Sequence, residues 1–277
     1  MKKRSVGSLI FLSLVLLVLY LPIVIVVLYS FNDNPARIPL AFTGFTTRWY
    51  DRLFTGRNNY GDALLLSLNV AFWSVLISCI IGTLGAIGMA QRTLKTGGKW
   101  LDTAMESIAT LPIMIPEIIL GLAFLVLFNA AGLEGNVLRL VLAHTTFCIP
   151  YIFLTVKSRL VGMDVALFDA ARDLGASPRQ VMLDITLPLC KPMIVYQVIT
   201  SFMGPWMDFI LAKVIVRAEA EYYTVSIGLY KMLEMEFVNN WFTRFCAGAV
   251  VVAIPISILF MITQKFYQEA MAGGVKG

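Results

Sequence analysis

Asp164 to Pro188 reads DVALFDAARDLGASPRQVMLDITLP, a polar stretch set between segments that are not polar. Asp164, Asp169, Arg172, Asp173, Arg179 and Asp184 fall within it, whereas charged residues are only 14% of the whole chain. That density of charge keeps it out of the hydrocarbon of a bilayer. Its pattern predicts two short helices joined by a turn. Val165, Phe168, Ala171 and Leu174 recur at every third position as an apolar stripe, and Gly175 follows where a glycine just past the C-cap stops a helix. Ser177 precedes Pro178 and stands three residues before Gln180, which supplies a capping serine, a proline at the first helical position and a capping-box partner. Val181, Met182 and Ile185 point inward on the second helix, and Pro188 is expected to end it. Such an element between two membrane spans offers a rigid knob to something outside the membrane.

The surrounding composition sets the class. Hydrophobic residues are 58% of the 277, and the mean hydropathy is +0.79, values of a membrane protein rather than a soluble domain of this length. The net charge of +5 and pI near 9.0 are those of basic loops that orient spans in a bilayer, and nucleic acid is excluded as a partner. Cys79, Cys148, Cys190 and Cys246 stand singly, with no C-x-x-C pair, so neither a disulfide nor a metal site is expected. His144 is the single histidine and is expected to hydrogen-bond a neighbouring helix rather than a ligand.

Outward from the polar stretch, six spans are expected. The first runs from about Val6 to Phe31 behind Lys2, Lys3 and Arg4, too long for the apolar core of a signal peptide and without a small-residue cleavage site, and so is read as an uncleaved helix. Residues 32–62 form a loop whose Phe42, Phe45, Trp49, Tyr50 and Phe54 suggest a segment along the interface. Arg37, Arg48, Arg52 and Arg57 in that loop run against the charge rule. Span two, about Ala63 to Ala90, carries Gly82, Gly85 and Gly88 on a face where another helix can pack closely. Span three, about Met105 to Phe128, is broken at its entry by Pro112 and Pro116 and holds Glu117, either a functional carboxylate or one favoured at a helix start. Span four covers about Val137 to Val156. Span five, about Met193 to Val216, contains Trp206 and Asp208, the latter functional or paired structurally with Lys213. An external loop, 217–243, and span six, about Phe245 to Tyr267, lead to a tail over 268–277. Lys and Arg then number thirteen on the expected inner side and nine elsewhere, which puts both termini in the cytoplasm.

The spacing of Asp169-Ala170-Ala171, Gly175, Ile185 and Leu187-Pro188 resembles the EAA signature of permease subunits in ATP-binding-cassette importers, with Asp169 where glutamate is usual. The resemblance implies an all-α membrane fold of six transmembrane helices with a cytoplasmic coupling helix, of the type I importer permease kind. Residues 63–267 would be its five-helix core and 158–192 its coupling loop. It implies that Asp169, Ala170, Ala171, Gly175, Ile185, Leu187 and Pro188 meet a dimer of cytoplasmic ATPase subunits. It also implies a second homologous permease subunit, an external substrate-binding protein and a bacterial inner membrane.

No G-x-x-x-x-G-K-[ST] occurs, so the chain is expected to bind no ATP and no other cofactor, and to be a transport subunit rather than an enzyme. Up to about residue 200 the sequence resembles spermidine/putrescine permeases. From about Ser201 onward it resembles the maltose/maltodextrin permease, whose tail reaches the ATPase, a role this implies for Gly273, Gly274, Val275, Lys276 and Gly277. Glu117, Trp206 and Asp208 are the candidates for the substrate pathway, where carboxylates and aromatic faces would suit a polyamine. An oligosaccharide is the alternative substrate. A self-contained secondary transporter is the rival class, and it predicts several buried charges and an internal repeat.

Overall fold

The computed structural model describes residues 6–55, 60–96, 99–217 and 223–273, and among these the regular structure is helical apart from one isolated bridge. In order the helices are α1 (Val6–Ser30), α2 (Arg48–Phe54), α3 (Tyr60–Thr96), α4 (Lys99–Met114), α5 (Glu117–Ala130), α6 (Asn136–Val161), α7 (Val165–Asp173), α8 (Pro178–Gln180), a π-turn over Val181–Thr186, α9 (Leu187–Met207), α10 (Ile210–Val216), α11 (Val225–Glu234) and α12 (Trp241–Gly273). Among the described residues five helices are long and apolar enough to cross a membrane, and α4 with α5 is a pair bent by 102° that makes six when counted as one span. The bend follows from Pro116: it has no N–H to return to the preceding turn, and it drives Ile115 out of helical geometry. Pro112, by contrast, lies inside α4.

Contacts divide the chain into two compact units. One takes Met1–Ala63 with Ile227–Pro255. Its loop folds on Asn32, whose side-chain amide donates to the Ala41 carbonyl at 2.9 Å and whose Oδ1 accepts from Thr43 N at 2.9 Å. Trp49 is fully buried and donates its indole N–H to the Asn32 carbonyl at 2.8 Å. Three of the arginines that run against the charge rule, Arg37, Arg48 and Arg52, have local partners, and Arg57 lies outside the described residues. Arg48 pairs with Asp33 at 2.7 Å and, like Arg52, lies over the Trp49 ring, while Arg37 lies over Phe237.

The other unit takes Leu64–Ser226 with Ile256–Gly277. Here α3 and α6 approach at small residues: the Ser74 and Ser78 hydroxyls donate to the Val141 and Thr145 carbonyls at 3.1 and 3.0 Å, and Gly82 lies against Ile152. Thr155 of α6 donates to Gln197 of α9 at 2.9 Å, and Gln197 donates on to Ser201 at 3.1 Å. Lys157 of α6 is hydrogen-bonded to Glu106 of α4. Ala86, Ile152, Val156 and Cys190 sit at the centre of the apolar core. On α1, in contrast, the most apolar stretch has no buried residue.

Two expected boundaries move. Pro188 does not end the second helix of the polar stretch, because α8, the π-turn and α9 run on as one helix, Pro178–Met207. The π-turn explains this: Leu187 N bonds back to Met182 O and the Thr186 hydroxyl to Val181 O, which opens the helix at the point where Pro188 supplies no N–H. The fifth span, expected over about Met193 to Val216, therefore starts earlier and is interrupted at Asp208–Phe209.

Candidate functional site

The elbow before this long helix is fixed by local caps. Asp164 accepts from Ala166 N at 2.9 Å and starts α7. Gly175, at φ +87°, lets the chain reverse, with Ala176 N bonded to Ala171 O at 3.0 Å and Gly175 N to Arg172 O at 2.9 Å. The capping box of Ser177 and Gln180 is present in both directions, at 3.3 and 2.9 Å.

Phe168 is the buried anchor of α7 and lines a small cavity of about 40 Å³ with Ile87, Ala90, Leu160, Val181 and Thr186. Leu174 is not part of that apolar stripe. It is 90% exposed, because α7 stops at Asp173 and the three-residue period stops with it. Of the motif residues, Asp169, Ala170, Gly175 and Pro188 are exposed, and Ala171, Ile185 and Leu187 are half-buried. Asp169 bonds only to Arg172 on its own helix, at 3.3 Å, among the hydrogen bonds and ion pairs of the described residues. The elbow thus shows its charged and small residues outward while Phe168 holds it to the helices beneath.

A second constellation lies where two spans break. Glu117 is the first residue of α5, after the Pro116 bend, and Asp208 sits in the gap before α10. Helices α5 and α10 pack side by side, with Gly121 against Leu211 and Val214, and Glu117, Asp208 and His144 lie near enough to interact electrostatically. Asp208 accepts from Leu211 N at 3.1 Å and Ala212 N at 2.7 Å, so it closes the free first turn of α10. Its Oδ2 also lies 3.0 Å from His144 Nε2, and both side chains are under 5% exposed.

The expected alternative partner, Lys213, lies instead over the Tyr223 ring. His144 does hydrogen-bond a neighbouring segment, and that segment carries one of the candidate carboxylates. Trp206 is fully buried, stacked on Phe202 at 5.6 Å, with its carbonyl accepting from Ser226 at 3.2 Å. Glu117 remains half-buried. Among the described residues no cluster of His, Cys, Asp and Glu has metal-holding geometry. Of the expected tail contacts, Gly273 is the last residue of α12, and Gly274 to Gly277 lie outside the described residues.

A cleft of about 600 Å³ opens between α9 and α12. Its lining mixes Tyr196, Met203 and Phe260 with Thr200, Thr263 and Gln264 and contains no formal charge.

A family model, binding-protein-dependent transport system inner membrane component, matches residues 82–273. The spermidine/putrescine transport system permease protein PotC of Haemophilus influenzae is 34% identical over 203 residues, 73% of this chain and 76% of that one. The galactooligosaccharides transport system permease protein GanQ of Bacillus subtilis is 29% identical over 231 residues, 82% of this chain and 79% of that one. In structure, a chain of a bacterial ABC transporter that imports the acidic polysaccharide alginate superposes with a TM-score of 0.75 at 17% identity, covering 96% of this chain and all of the other.

Proposed function

The chain belongs to the binding-protein-dependent transport system inner membrane components, and from that membership we propose that it is one of two homologous permease subunits of an importer that carries a polyamine. The observation behind the substrate is the meeting of Glu117 and Asp208 at two span breaks, carboxyl groups gathered where a bilayer-embedded chain has few charges. Relatives with polyamine names at 31% to 34% identity support the same reading.

Energy reaches the permease through the elbow. The outward face of Asp169, Ala170 and Gly175, with the exposed tip Leu174, fits a groove on a cytoplasmic ATPase dimer, and the tail from Gly273 to Gly277 is a second contact with it. The elbow precedes one long helix and Asp208 follows it. Pro178–Met207 has 30 residues, about 45 Å at the α-helical rise. Closure of the ATPase dimer on ATP would move the elbow as a rigid body, and this helix would carry the motion to the break at Asp208. The chain supplies the gate, and the partner subunit hydrolyses the nucleotide. An external binding protein delivers the substrate.

The cleft between α9 and α12 favours a second reading, an oligosaccharide, since it pairs aromatic surface with uncharged hydrogen-bonding groups. Uptake of labelled putrescine and labelled maltose by cells carrying the complete transport operon separates the two. The polyamine reading expects putrescine to accumulate and Glu117→Gln to reduce its uptake about tenfold, the worth of one charge-assisted hydrogen bond. Accumulation of maltose without putrescine overturns it.

A further inference from the structure

The helix that links the elbow to the broken fifth span is not uniform. Through Val181–Thr186 it runs as a π-turn, with Leu187 N bonded to Met182 O five residues back. Two features hold the turn open. The Thr186 hydroxyl donates to the Val181 carbonyl at 3.1 Å, across the same five residues, and Pro188 has no N–H for the Asp184 carbonyl, against which its ring would press in a regular α-helix. The proline therefore disfavours α-helical pairing here, while the wide pairing is itself the rarer and weaker one. Neither holds this turn as firmly as an ordinary turn is held.

Packing differs on the two sides of it. Beyond the turn α9 is clamped, because Gln197 accepts from Thr155 of α6 at 2.9 Å and Cys190 is fully buried in the apolar core. Before the turn, α7 is held by Phe168, and Phe168 borders the cavity of about 40 Å³. Val181 and Thr186, the two ends of the π-turn, line the same cavity with Ile87 and Leu160. The turn and the anchor of the elbow thus share empty volume, which a close-packed core seldom provides.

We infer that Val181–Thr186 is a hinge at which the elbow tilts against α9, so that the long helix is not a rigid rod. This rests on the coupling role proposed for the elbow. A displacement of the elbow is absorbed first at the π-turn, where backbone dihedrals change at least cost, and the clamped length of α9 follows. Leu183, inside the turn and 43% exposed, can be removed without emptying the core. A π-turn carries one residue more than the α-helical pairing it interrupts, so deletion of Leu183 returns the helix to regular pairing with both flanks in phase.

The test follows hydrogen–deuterium exchange of segment 178–190 in the complete importer in lipid, without nucleotide and with a non-hydrolysable ATP analogue. The exchange rate of this segment should change about tenfold or more between the two states, in the wild type and in Thr186→Ser, which keeps the hydroxyl. Deletion of Leu183 should abolish that change and lower the substrate moved per ATP, with the ATPase still bound. Equal exchange in the two states overturns the inference, and so does a Leu183-deleted importer that moves substrate at the wild-type ratio. The wild-type comparison decides alone if the deletion variant fails to assemble. A Leu174→Cys thiol that never crosslinks to the ATPase removes the coupling reading and the hinge with it, whereas a thiol that crosslinks while exchange stays constant removes the hinge alone.

Discussion

A Cβ placed on Gly82 would lie 3.0 Å from the Ile152 Cβ and 3.1 Å from the Ile149 carbonyl oxygen, so α3 and α6 touch backbone to backbone at this point. Neither a β-branched side chain nor a carbonyl can withdraw. Gly82→Val should lower stability by about 1–3 kcal/mol through overpacking. Gly88→Ala, about 1.7 turns along with nothing within 4 Å, should be close to neutral. Thermal unfolding of the purified complex distinguishes them, and equal effects would mean that the close approach is absent.

Asp208 ties α6, α10 and the span break together, so its removal is costly in a way that its neutralisation is not. Asp208→Ala leaves two backbone N–H groups without their acceptor and His144 without its partner, and should cost about 1–3 kcal/mol for each buried group left unsatisfied. Asp208→Asn keeps one oxygen for one of the two backbone donors and should cost less. The same unfolding measurement checks the order, and an inverted order would contradict the hydrogen bonds at 2.7 and 3.1 Å.

Gly175 sits in open space at φ +87°, so only backbone strain penalises a side chain there. Gly175→Val should cost about 1–2 kcal/mol at the turn and uncouple transport from ATP hydrolysis, whereas Gly175→Asn, better tolerated in left-handed backbone, should retain much of the coupling. Membrane insertion is expected to be unchanged in both. Co-purification of the ATPase and the ratio of uptake to hydrolysis report the difference.

Phe168 anchors the elbow against Ile87, Leu160 and Val181. Phe168→Ala should loosen the elbow without removing any exposed motif residue. ATP hydrolysis by the reconstituted importer should then continue while substrate moved per ATP falls. An unchanged ratio would mean that Phe168 does not hold the elbow.

What the sequence revealed was local. The Ser177–Gln180 box and the Gly175 reversal depend on residues a few positions apart, and both were legible. Leu174 continues the apolar period of α7 yet is exposed, because periodicity carries no information about where a helix stops. Pro188 misled because a proline's missing N–H can be absorbed by a π-turn as well as by a helix end, and the choice lies in the packing of the following span.

Asp208 shows the same limit over a longer distance. Lys213 was its nearest cation in sequence, but the helix that would present both starts only at Ile210, and the partner that does reach it lies on α6. Pro116 announced a break before Glu117, while the 102° turn and the encounter with Asp208 exist only in three dimensions. Arg37, Arg48 and Arg52 run against the charge rule in sequence, and their aromatic and carboxylate partners exist only in three dimensions.

In the proposed mechanism a motor subunit drives this gate through the elbow. Leu174 is the tip of that elbow, 90% exposed, and the four native cysteines are buried or half-buried, which leaves Leu174→Cys as the accessible thiol among the described residues. In membrane vesicles of known orientation bearing the whole importer, this thiol should react with an impermeant maleimide only from the cytoplasmic face. It should also crosslink to the ATPase subunit, with a yield that changes when ATP is added. Labelling from the external face, or a thiol that never crosslinks to the ATPase, would contradict the account.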